Sequence, residues 1–101
     1  MTFKEKVYEF AKKIPIGKVA TYGQLAALAG NHKAGRAVGT FMKTNPYAPA
    51  VPCHRVVGSN GELTGYTGGK GIITKKKMLK NEGVVFKKDK VDLSRSLWKP
   101  N

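Results

Sequence analysis

The chain has 101 residues, enough for one domain with a modest core, and its 19 Lys+Arg against 6 Asp+Glu leave a net charge of +13. A single cysteine excludes an internal disulfide, and with two histidines beside it there are too few soft ligands for a zinc site, so no metal and no cofactor are expected. No run is long or apolar enough to cross a membrane and the N-terminus lacks a signal-peptide core, so a reducing intracellular compartment, cytoplasmic or nuclear, is expected, without a membrane partner.

Thr2-Phe3-Lys4-Glu5 has the form of a capping box, in which Thr2 and Glu5 each satisfy a free helix N–H. Phe3, Val7, Phe10, Ala11 and Ile14 then share one helical face, and Pro15 and Gly17 stop the helix. Thr21-Tyr22-Gly23-Gln24 is a second capping box, opening a short helix through Leu25, Ala26 and Leu28 that Gly30 ends. Asn31 is read as the cap of a third helix with an apolar stripe of Ala34, Ala37, Val38 and Phe41, ending before Asn45-Pro46. These two helices predict a helix-turn-helix over about residues 21–44, with Lys33, Arg36 and Lys43 on its second half. Gly35 and Gly39 each cost that helix about 1 kcal/mol relative to alanine. Gly39 is read as a close-packing position; at Gly35 packing and approach to a nucleic-acid backbone stand equal.

Gly58-Ser59-Asn60-Gly61 is a turn, and Leu63 to Gly69 is a glycine-rich loop without the Walker phosphate pattern. Thr74 is read as the cap of a last helix containing Met78 and Leu79, with Lys75, Lys76 and Lys77 near its start as a solvated face. Val84–Phe86 and Val91–Leu93 suggest a small hairpin around Lys87-Lys88-Asp89-Lys90, and Trp98 a packing anchor. The fold class expected is mainly α with small β elements.

Two features carry chemistry. No acidic residue lies between Glu9 and Glu62, while seven Lys and Arg do. A one-sign stretch of that length suits a polyanion, nucleic acid first, better than a merely soluble surface. The only cysteine, Cys53, sits in Val51-Pro52-Cys53-His54-Arg55-Val56-Val57. A thiol reacts as its thiolate, and an adjacent base or cation makes that form available. A buried free cysteine is otherwise an inert small hydrophobe.

Taken with Ile14-Pro15-Ile16-Gly17, Thr21 to Ala26, Arg36-Ala37-Val38-Gly39, Asn45-Pro46, Leu63 to Gly69 and Lys75 to Glu82, the Pro52-Cys53-His54-Arg55-Val56 run resembles the C-terminal DNA-binding domain of O6-alkylguanine-DNA alkyltransferases. The resemblance implies a winged-helix-like alkyltransferase domain with an active-site segment at 51–57, acting as a monomer on double-stranded DNA containing O6-alkylguanine. Cys53 would take the alkyl group permanently, His54 would serve as base through a water, and Glu82 would orient the imidazole. Arg36 would fill the space of an extruded base, and Tyr22 would help rotate and bind the nucleotide. Tyr66 and Thr67 would contact the base or the leaving oxygen, and Asn45 would hold the turn before the active segment. Lys75 would lie near the pocket. Lys33 and Gly35 would belong to the DNA face, with small helix residues suiting minor-groove docking.

The chain departs from the family in three places. The N-terminal domain of many members is expected to be absent, with any zinc site it carries. Gly35 replaces a common alanine, and Lys70–Thr74 is two residues longer than usual. Read singly, Tyr22 and Tyr66 could equally be core aromatics, Arg55 suits an ion pair or a cap, and His32 a surface position or phosphate contact. Three other functions compete: a non-catalytic alkyltransferase-like lesion binder, which typically lacks the cysteine; a plain basic DNA-binding protein; and a thiol hydrolase, for which no oxyanion-hole motif is visible.

Overall fold

The computed structural model describes residues 1–48, 50–64 and 71–100. Helix α1 (Phe3–Lys12) opens with its capping box in place: Thr2 Oγ1 accepts the Glu5 N–H at 3.1 Å and Glu5 Oε1 accepts the Thr2 N–H at 2.9 Å. Its apolar face buries Val7, Tyr8 and Ala11. Strand β1 (Ala20–Thr21) leads directly into α2 (Tyr22–Leu28), where Thr21 and Gln24 form the second capping box. Gly30, at φ 103°, reverses the chain where a side chain would be strained. Helix α3 (Gly35–Lys43) packs on α2 and buries Val38 and Met42.

Two expectations for this helical hairpin fail. Asn31 does not cap α3: its Oδ1 accepts the Lys33 N–H at 3.2 Å within the turn, and α3 begins four residues later behind Ala34 without a side-chain cap. An Asx turn has taken the oxygen that a cap would use. Gly39 is not a packing position either, since a Cβ there would meet no atom within 4 Å. At Gly35 a Cβ would stand 3.6 Å from the Gly23 Cα, an ordinary contact with the backbone of α2 that packing alone does not forbid.

A single 3₁₀ turn, Cys53–Arg55, is followed by β2 (Val56–Val57), which pairs in parallel with β1 in the register Ala20↔Val56 and Thr21↔Val57. Helix α4 (Ile72–Asn81) starts at Gly71, not at Thr74, so Lys75–Lys77 lie a turn inside the helix. Strands β3 (Phe86–Lys87) and β4 (Lys90–Val91) form a tight antiparallel hairpin. Leu93, expected to extend the second strand, instead begins α5 (Leu93–Ser96), because the Asp92 carboxylate accepts the Ser94 N–H and caps a helix. Beyond it, Trp98 donates its backbone N–H to Val19 at 2.7 Å and packs against the core.

The core has two parts. Val7, Ala11, Leu25, Ala26, Val38, Met42, Cys53 and Val56 belong to the first, with α1–α3. Val19, Val57, Leu63, Leu79, Val84 and Val91 make the second, under α4 and the hairpin. Among the described residues no helix is long and apolar enough to cross a membrane.

Candidate active site and nucleic-acid face

The chain enters the site through Asn45. Its Nδ2 donates to the Val51 carbonyl at 2.8 Å and its Oδ1 accepts the Tyr47 N–H at 2.9 Å, which ties the end of α3 to the start of the active segment. Pro52 then leads into the 3₁₀ turn, and Cys53 N–H donates to Val51 O at 2.8 Å. The turn faces the end of α4, which brings together residues 28 positions apart. His54 is 4% exposed, and its Nε2 lies 2.9 Å from Glu82 Oε2. With Nε2 donating to the carboxylate, Nδ1 is left as the basic nitrogen. The longer 70–74 segment therefore leaves Glu82 in register with His54.

Arg55 completes the arrangement. Its Nε and Nη2 donate to the two Glu82 oxygens, both at 2.9 Å, and its Nη1 donates to the Ile14 carbonyl at 2.9 Å. Burial alone would raise the Glu82 carboxyl, but hydrogen bonds from Arg55 and then His54 hold it below its ordinary value. Sequence reasoning offered an ion pair or a cap for Arg55; its partner, the same carboxylate that faces His54, was not visible there.

On the other side of Cys53 stand Tyr22 and Lys75. Tyr22 begins α2 immediately after β1, so the β1–β2 register places it near the active segment. Its hydroxyl donates to the Thr64 carbonyl at 2.8 Å, and burial, the largest influence, pushes its phenol up. Lys75 is 1% exposed, unlike the solvated lysine expected from its run. Its Nζ donates to Val56 O at 2.7 Å and Thr64 O at 2.8 Å and lies 6.0 Å from the Tyr22 ring centre. Burial pulls the ammonium down to about 8, while the negative form of Cys53 favours its charge. The Thr64 carbonyl, shared by Tyr22 and Lys75, is a backbone group that no side-chain pattern could reveal.

Arg36 and Lys33 are exposed at the start of α3 and in the turn before it, and Gly35 lies between them against α2. His32 is exposed in the same turn. Tyr66 and Thr67 lie outside the described residues. A cleft of about 430 Å³ between α1 and the 46–51 loop is lined by Tyr8, Tyr47 and Val51 among others, and by none of Cys53, His54 or Glu82. Among the described residues no group of three His, Cys, Asp or Glu side chains could hold a metal ion.

Comparison with known proteins agrees with this geometry. A methylated-DNA–protein-cysteine methyltransferase of Methanosarcina acetivorans is 51% identical over 81 residues, covering 80% of this chain and 51% of that protein. The chain spans about half the length of the curated relatives it matches. Among solved structures, S. pombe Atl1 in complex with damaged DNA containing O6-carboxymethylguanine superposes with a TM-score of 0.82 at 35% identity, covering 97% of this chain and 95% of that one. The Mycobacterium tuberculosis OGT in complex with DNA gives 0.73 at 43% identity, over 81% of this chain and 49% of that one. The family profile described as 6-O-methylguanine DNA methyltransferase, DNA binding domain, matches residues 2–84, and by that match the chain belongs to this family.

Proposed function

We propose that this protein removes alkyl groups from O6-alkylguanine in double-stranded DNA by one irreversible transfer to Cys53, within a reducing intracellular compartment. The observation that carries the reading is the Glu82–His54 pair, 2.9 Å apart, with the imidazole buried beside the only thiol. His54 Nδ1 takes the thiol proton through a water, as Glu82 on Nε2 fixes the tautomer and stabilises the imidazolium. The Cys53 sulfur forms its bond to the alkyl carbon while the carbon–O6 bond breaks, and the electron pair of that bond goes to the guanine. Reprotonation of the guanine leaves a normal base and a thioether. No second group on the chain could cleave a thioether, so each molecule acts once.

A thiol cannot reach O6 within the base stack, so the nucleotide must be extruded. Arg36 is the side chain assigned to the vacated space. Tyr22 is assigned to rotating and binding the nucleotide, and Asn45 to holding the active segment. Lys75 supports the pocket wall, Lys33 and Gly35 belong to the DNA face, and Tyr66 and Thr67 are assigned to the base. The cysteine favours transfer over lesion binding alone.

The test is intact-protein mass spectrometry after incubation with duplex DNA containing O6-methylguanine. One methyl mass per molecule, mapped to Cys53 and abolished in Cys53→Ala, is expected. Lesion binding without any mass gain in the folded protein would overturn transfer and leave the lesion-binding reading.

A further inference from the structure

We infer that the β3–β4 hairpin and the adjoining face of α4 form a second contact surface for the phosphate backbone of duplex DNA, separate from the helical hairpin α2–α3. The inference rests on the DNA-directed reading above only for the identity of the polyanion. The hairpin lies beyond the family-matched segment 2–84 and takes no part in the Cys53 chemistry.

Charge is the first observation. Lys76, Lys80, Lys87, Lys88 and Lys90 lie on this surface, and the acids beside it among the described residues are Asp89 at the tip and Asp92, which feels Lys87 while its carboxylate accepts from Ser94. Asp89 is engaged by Lys76 Nζ at 2.9 Å, which pins the hairpin tip to α4. The Phe86 ring lies under both Lys76 and Lys80, with Nζ to ring-centre distances of 5.8 and 5.7 Å. Strand and helix thus make one continuous surface.

Local energetics are the second observation. Lys87 and Lys90 are directly opposed across the two strands on the outward face, while Phe86 and Val91 point inward. Like charges so placed repel and destabilise a hairpin. Lys88 is the only non-glycine among the described residues with positive φ, at 60°. Glycine or asparagine takes that conformation more cheaply. Three lysines therefore sit at the tip where isolated stability disfavours each of them. A phosphate backbone brought to the tip relieves the repulsion and uses all three charges.

Position is the third. The hairpin packs on the second core cluster, whereas α2 and α3 pack on the first. The two basic faces are carried by different parts of the molecule, so together they span more backbone than either alone.

Fluorescence anisotropy with an undamaged duplex, measured across a salt series, tests this. Three proteins are compared: the full chain, Lys87→Gln/Lys88→Gln/Lys90→Gln, and a control of equal net charge, Lys6→Gln/Lys12→Gln/Lys13→Gln, on exposed positions of α1 and its C-terminal cap. The slope of log Kd against log salt falls by about 0.9 for each phosphate no longer neutralised, so the hairpin variant should drop by up to about 2.7 and the control by less than about 0.9. A second variant, Lys88→Asn, should melt at a higher temperature yet bind duplex more weakly. Equal reductions for hairpin variant and control would overturn the proposal, since net charge alone would then act. So would an unchanged hairpin slope, or hairpin-dependent binding confined to phosphatidylserine vesicles. Duplex binding absent from the unmodified chain would overturn the proposed function as well; binding present but indifferent to the hairpin overturns this inference alone.

Discussion

Replacing Lys75 by methionine should change the pH dependence of stability more than stability itself. The ammonium is 1% exposed and burial pulls it from 10.5 to about 8. At neutral pH the folded state therefore carries a charge it disfavours by about 3 kcal/mol relative to the unfolded chain. The same group donates to Val56 O and Thr64 O; Thr64 O keeps the Tyr22 hydroxyl, so the loss falls on the buried Val56 carbonyl and costs about 1–3 kcal/mol. Methionine fills similar length without a charge, so the two effects largely cancel near pH 7. The pH dependence does not cancel. Because the folded value lies below the unfolded one, the unfolded chain binds more protons between about 8 and 10.5, and stability must rise with pH there. From pH 7 to pH 9.5 Lys75 should contribute about 2 kcal/mol of added stability, absent in Lys75→Met. Urea denaturation of both proteins at the two pH values measures it as a difference of differences, which cancels every ordinary lysine. Work stays below pH 10, where Tyr22, pushed up by burial, begins to act with the opposite sign. The variant should also transfer alkyl groups more slowly, having lost the cation whose charge and the Cys53 thiolate favour one another. Identical pH profiles for the two proteins would refute the reasoning.

Arg55→Leu should cost about 2 kcal/mol of stability, less than a fully buried pair because both groups are partly exposed, and should slow transfer without abolishing it, as read by urea melts and single-turnover rates. Glu82 is held below its ordinary value, so its contribution to stability is present above the unfolded carboxyl value and lost as pH falls through the folded one; Arg55→Leu should flatten that acid-side loss. Arg36→Ala should slow transfer from duplex DNA more than from single strands, since stacking is broken only in the duplex and costs a few kcal/mol; equal slowing on both would make Arg36 a backbone contact. Alkylated protein should melt lower than unmodified protein by about 1–3 kcal/mol of stability, because Cys53 is 8% exposed in a packed core and an added methyl overfills it; unchanged melting curves would remove that argument.

The parts of this site that were legible in the sequence are those encoded within a few residues. Both capping boxes are satisfied by atoms three positions apart, so Thr2/Glu5 and Thr21/Gln24 announced two helix starts before any tertiary contact existed. Cys53 and His54 are adjacent. What remained hidden depends on chain reversal. Arg55 finds Glu82 across 27 positions and Ile14 across 41, and no periodicity records either. Lys75 was masked by its neighbours Lys76 and Lys77, which are exposed or half-buried as a lysine run predicts. One signal was present: Lys75 and Leu79 are four apart, and both are buried on α4. Asn31 and Thr74 misled because a side-chain oxygen near a helix start can serve a turn or lie within the helix as readily as it caps it.

The two-residue pairing of β1 with β2 governs the site out of proportion to its length. Ala20 and Val56 are in the first core cluster, and Val19 and Val57 in the second, so the strands form the seam between the two. Alternation along a strand means that a slip of one residue would exchange the faces of Val56 and Val57 and strand a side chain from each cluster. The same slip would move the Val56 carbonyl away from Lys75 and turn the preceding Cys53–Arg55 segment away from Glu82. Both halves of the core therefore favour one register, and that register is what puts thiol, imidazole and carboxylate together. The chemistry proposed for Cys53 is a consequence of where two small hydrophobic clusters meet, which is why a chain with so modest a core can hold a partly buried ion pair and a buried lysine beside its only thiol.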